Sequence, residues 1–126
     1  MASRELEKKE IRKEELENLL IAWSDGSMSG SEIHEWAELN YLPLSQVIGR
    51  DSAVHTAYAM GMILSQLDFL EPKAGSSKFA IEFLNTSIDD FGDRLRNFVD
   101  GCFGLIDEEE FNNAMERVRN LKMKDS

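Results

Sequence analysis

Residues 53–64 read Ala53-Val54-His55-Thr56-Ala57-Tyr58-Ala59-Met60-Gly61-Met62-Ile63-Leu64, and only His55 and Thr56 interrupt the apolar and aromatic run. A helix that is apolar nearly all round is one that other elements enclose. The stretch therefore predicts the central helix of a small bundle, capped by Asp51 or Ser52 and running to about Leu70. Ala57 and Gly61 are small and one turn apart, so a neighbouring helix can approach closely there.

Upstream, Leu16, Leu19, Leu20 and Trp23 repeat at the spacing of one helical face. They predict a helix from Arg4 to Ser24 whose Glu/Lys/Arg-rich start, residues 1–12, projects into solvent. Asp25-Gly26-Ser27 ends it. Ser29 and Glu32 have capping-box spacing; the helix they start buries Ile33, Trp36, Ala37 and Tyr41, and Pro43 closes it. A short helical turn follows from Leu44 to Ile48.

Downstream, Glu71 to Ser77 (EPKAGSS) reads as an internal linker, since Pro72 cannot continue a helix. A fourth helix, Ser77 to Asn85, carries Phe79 and Phe83. A fifth, from Ser87, carries Ile88, Phe91, Leu95, Phe98 and Val99, and Asp100-Gly101 ends it. A sixth, Asp107 to about Lys122, turns Phe111, Ala114, Met115, Val118 and Leu121 inward. No alternating strand pattern of useful length is present. The expectation is an all-α, compact single-domain bundle of about six helices, with residues 1–126 as one unit.

The totals agree with that size and bound the function. The chain has 126 residues, 42% of them apolar, enough for a real core. Cys102 is the sole cysteine, so no internal disulfide can form. Ala57 to Leu64, the longest apolar run, is far short of the roughly 20 residues of a membrane span. The charged start, Met1 to Glu17, has no signal-peptide pattern. These features lead to the expectation of a cytoplasmic protein that engages no membrane.

Net charge is −10, and residues 18–110 carry more than all of it, with 16 acids against five bases, a net of −11. Such a surface repels nucleic acid and attracts basic proteins. Catalytic motifs are absent: there is no phosphate-cradling glycine loop, no nucleophile elbow and no Cys–His pairing. Cys102 reads as a small buried filler in a join. His34 reads as exposed or partner-facing and His55 as a helix-surface or half-buried residue, and neither has a second ligand at zinc spacing.

The joins Gly26 to Ile33 and Gly104 to Phe111 share a pattern similar to the second half of an EF-hand loop. Their early ligand positions hold Ile21, Trp23 and Asp25 in one case and Val99, Gly101 and Phe103 in the other, so calcium lacks its carboxylates. No metal and no cofactor is implied, and the chain reads as a binding protein rather than an enzyme. The candidate partner-binding residues are Asp25, Glu32, Glu35 and Glu38 near the first turn, with Asp89, Asp90 and Asp93 at the fifth helix. Glu108, Glu109 and Glu110 form a further acidic group that favours the sixth helix through its dipole. Trp36 or Tyr41 can anchor a contact if exposed.

The segment Leu19 to Tyr41 (LLIAWSDGSMSGSEIHEWAELNY), within a small acidic helical chain, resembles bacterial immunity proteins of colicin and contact-dependent inhibition systems. The resemblance covers architecture and charge, and no family residue is carried over. It implies a cognate toxin nuclease as partner, a basic protein because it grips nucleic acid, which an acidic inhibitor can occupy. Two other readings stand beside it. One is a phage-type nucleic-acid mimic that inhibits a host defence complex. The other is a helical interaction module that holds a partner helix in an apolar groove.

Overall fold

The computed structural model describes residues 10–41, 46–50, 52–104 and 107–125. Six helices form within them: α1 (Lys13–Ser24), α2 (Gly30–Asn40), α3 (Val54–Phe69), α4 (Ser77–Leu84), α5 (Phe91–Phe103) and α6 (Glu108–Asp125). Two short strands, β1 (Glu10–Ile11) and β2 (Val47–Ile48), pair in parallel. Well over half of the described residues are helical, as the apolar stripes require. Expectations for Arg4 to Lys9, Pro43, Leu44, Asp51 and the Leu105-Ile106 spacer lie outside the described residues.

The small sheet corrects the sequence reading at two places. Helix α1 starts at Lys13, because Glu10 and Ile11 are extended and pair with Val47 and Ile48. Val47 and Ile48, in the turn expected over Leu44 to Ile48, form strand β2. The reason is Ile11, the isolated apolar residue in a charged run, which is fully buried. Burying it takes its backbone out of water, and the ladder supplies partners for those polar groups. Gly49 N donates to Ile11 O at 2.9 Å beside the pair.

Helix α2 starts as its sequence dictates. Ser29 Oγ accepts from Glu32 N at 3.1 Å, and Glu32 Oε1 accepts from Ser29 N at 2.9 Å. Gly26, at φ 90°, takes the left-handed turn between α1 and α2. Helix α3 packs against every other helix, most closely α2. It begins after Ala53 with no side-chain cap, so Ser52 does not cap it.

The densest packing lies between α4 and α5. Phe83 stacks on Phe98 at 5.5 Å and meets Phe91 edge-on at 5.1 Å. Helix α5 differs from expectation at both ends. Residues 87–90 form a turn, in which Ser87 Oγ accepts from Asp90 N at 3.2 Å, and the helix begins at Phe91. It runs through Gly101 and stops at Gly104, whose φ of 76° is left-handed. Gly101 serves packing instead. A Cβ there would lie 2.4 Å from the Phe79 ring, so its lack of a side chain lets α4 close on α5. Cys102 is therefore inside a helix rather than in a join, and it is fully buried.

Residues 71–76 are tied down rather than slack. Pro72 is buried. Lys73 N donates to Cys102 O at 2.7 Å, and Ser76 Oγ donates to Lys73 O at 2.6 Å. One hydrophobic cluster connects Ile11 at one end of the described chain with Val118 at the other.

Candidate functional site

All seven candidate acids stand on the surface. Asp25 ends α1 and accepts from Ser27 N at 2.8 Å. Hydrogen bonds from the Ser27 side chain and backbone hold its carboxyl below the usual range. Glu32 is engaged in the α2 capping box. Glu38 lies 3.4 Å from His34 Nε2. The carbonyl of Leu67 accepts from His34 Nδ1, which fixes a proton on that nitrogen. His34 thus ties α2 to α3, which corrects its reading as an exposed, partner-facing residue. Glu35 makes no ion pair or hydrogen bond among the described residues.

The second group surrounds the start of α5. Asp89 and Asp90 lie in the preceding turn and Asp93 in the first helical turn. Asp90 and Ser87 exchange hydrogen bonds at 3.2 Å. Carboxylates here also favour the helix through its dipole. Helix α2 packs on α3 and α1, whereas α5 packs on α4, α6 and α3, so the two acidic groups occupy separate helices and do not merge into one cluster.

Three arginines of the fold are engaged elsewhere. Arg50 pairs with Glu10 at 3.1 Å, Arg94 with Glu82 at 3.6 Å and Arg96 with Glu108 at 3.2 Å. No lysine or arginine among the described residues pairs with Asp25, Glu32, Glu35, Glu38, Asp90 or Asp93. Trp36 and Tyr41 are half-buried against the core. Burial and the charge of Asp68 raise the Tyr41 phenol above its ordinary range.

A second feature lies outside the seven acids. Helix α3 buries Ala59, Met60, Ile63, Leu64 and Leu67, but the other described residues do not enclose its opposite side. Tyr58, Gly61, Met62 and Phe69 line a trough between α3 and the α5–α6 pair. It consists of two joined cavities of about 590 and 380 Å³, which share Met62, Ser65, Gln66 and Glu110. Leu95, Val99, Phe103 and Phe111 form the far wall of the larger one. Asp68, Asp107 and Glu110 stand at its edge, and Arg117 and Tyr41 border the smaller. Phe69 is 75% exposed. At Gly61 a Cβ would have no neighbour within 4 Å among the described residues, whereas Ala57, one turn earlier, is met by Gly49, whose Cβ would lie 3.0 Å from that of Ala57. The signal for the trough was present in the sequence, in a helix with more apolar surface than one buried face needs.

Among the described residues no three His, Cys, Asp or Glu side chains gather as a metal site would require. Burial pushes the Cys102 thiol up to about 11, and its Sγ donates to Ser76 O at 3.3 Å. It is therefore a thiol at neutral pH and a poor nucleophile. No helix among the described residues is long and apolar enough to cross a membrane. Comparison with protein families, with characterised proteins and with solved structures returns no match, so the function rests on this chain's own residues.

Proposed function

We propose that this chain is a non-catalytic binding protein whose partner is a basic protein, and that it acts as an immunity-type inhibitor of a toxin nuclease. The observation that carries this reading is the state of the candidate acids. Asp25, Glu32, Glu35, Glu38, Asp90 and Asp93 stand exposed at well-formed helices without a lysine or arginine partner among the described residues, while Arg50, Arg94 and Arg96 are engaged by Glu10, Glu82 and Glu108. An uncompensated anionic surface speeds encounter with a cationic one and selects against other partners. A nucleic-acid-binding surface is cationic by necessity, so an acidic protein can cover it and block access.

The pairing pattern also ranks the residues for a test. Glu32 caps a helix and Glu38 faces His34, so reversing either disturbs the fold as well as the surface. Glu35 and Asp93 are free of such ties. The full chain, immobilised at low salt, is expected to retain a basic nuclease from extracts of its source cell and to suppress that nuclease when added back. The double variant Glu35→Lys/Asp93→Lys is expected to slow association, most at low salt where screening is weak. Glu116→Lys, in the stretch where bases outnumber acids, serves as the control. Retention of no nuclease, or equal binding by wild type and both variants, would remove the acidic surface as the working surface.

A further inference from the structure

We infer that the trough beside α3 is a helix-docking groove, and that its occupant is an amphipathic helix of the partner with Lys or Arg flanking an apolar stripe. This rests on the reading above that the partner is basic. Tyr58, Gly61, Met62 and Phe69 lie at spacings that keep them on one side of α3. From Ala57 to Phe69 the groove follows about 18 Å of helix, room for roughly three turns of an occupant. Gly61 gives a point of close approach, since no described residue stands over it.

Charge decides the occupant's chemistry. Asp68, Asp107 and Glu110 line the larger cavity, with no base among its described lining residues. The smaller cavity opposes Glu110 with Arg117. A helix with an apolar stripe satisfies the walls, and cationic residues beside the stripe meet the three carboxylates. They belong at the end that reaches Phe69. A second copy of this chain fits poorly: a two-fold contact across the groove would bring carboxylate edge against carboxylate edge. Helix-in-groove recognition of this kind reads anchors at one-turn spacing.

The probe is a hydrocarbon-stapled peptide of about 12 residues, with leucines on one face and lysines beside them, followed by fluorescence polarisation. A Leu/Glu peptide with the same stripe is the comparison. The full chain is expected to bind the lysine peptide in the micromolar range and not the glutamate peptide. Gly61→Leu, which meets no described residue, is expected to weaken binding at least tenfold while helicity is kept and the melting temperature does not fall. Phe69→Ser, at an exposed position, is expected to weaken it severalfold. Amide shifts on binding are expected at Tyr58, Gly61 and Met62. The proposal is overturned by absence of lysine-peptide binding, by equal affinity for the glutamate peptide, by equal affinity of Gly61→Leu, or by a wild-type dimer formed through this face. Gly61→Leu that still inhibits the nuclease, beside Glu35→Lys/Asp93→Lys that does not, sinks the groove and leaves the acidic reading. The opposite result sinks the acidic face alone.

Discussion

Two glycines, each inside a helix, mark two differently built halves of this molecule. At Gly101 the missing side chain is filled by Phe79 from α4, with a virtual Cβ 2.4 Å from the ring. At Gly61 the same absence leaves space above α3 that no described residue fills. The α4–α5 side is closed by aromatic packing among Phe83, Phe91 and Phe98. The α3–α6 side keeps a trough walled by apolar groups. A helical glycine costs stability relative to alanine, so each position raises the question of what is gained. At Gly101 the gain is contact within the fold. At Gly61 no described residue fills the space, which is where the docked helix proposed above would sit.

Substitutions can break that contrast or sharpen it. Phe83→Ala, in the closed half, is expected to destabilise by about 3–5 kcal/mol, since a large cavity opens among rings that cannot collapse. Denaturant unfolding measures it, and a loss below about 1 kcal/mol would mean that the half is loosely packed. Gly101→Ala is expected to cost about 1–3 kcal/mol, because overpacking against Phe79 outweighs the gain in helix propensity. Gly61→Ala is expected to do the reverse and stabilise by about 0.5–1 kcal/mol. Thermal melts of the two alanine variants should therefore move in opposite directions, and a shift in the same direction would erase the distinction between the halves. Phe69→Ser, at the open seam, is expected to change stability by no more than about 0.5 kcal/mol.

Much of the fold was legible because helical stripes report which side is buried. The Ser29–Glu32 box was legible too, since its two hydrogen bonds need only residues three apart. The end of α5 was misread. Gly101 and Gly104 look alike in sequence, and only the position of Phe79, 22 residues upstream of Gly101 in another helix, separates the close-packed glycine from the left-handed stop. Strand β1 was invisible because its two residues cannot display alternation. The exposed acids were legible from charge alone, but which of them are tied to Ser27, Ser29, His34 or Ser87 depends on geometry. The groove was only half legible for a related reason: the excess of apolar positions on α3 shows in the sequence, but periodicity says nothing of how much of that surface its neighbours cover.

The short parallel pair has a kinetic consequence. Glu10 meets Val47 and Ile11 meets Ile48, so the ladder closes a chain loop containing all of α1 and α2. Closing a long loop for so few backbone bonds is unfavourable until other contacts hold its ends near each other. The two helices and their seat on α3 are therefore expected to assemble before the ladder locks them. On the way back, the same clasp should open ahead of the core, so the amide of Gly49, which donates to Ile11 O, should exchange with solvent through a local opening rather than by global unfolding.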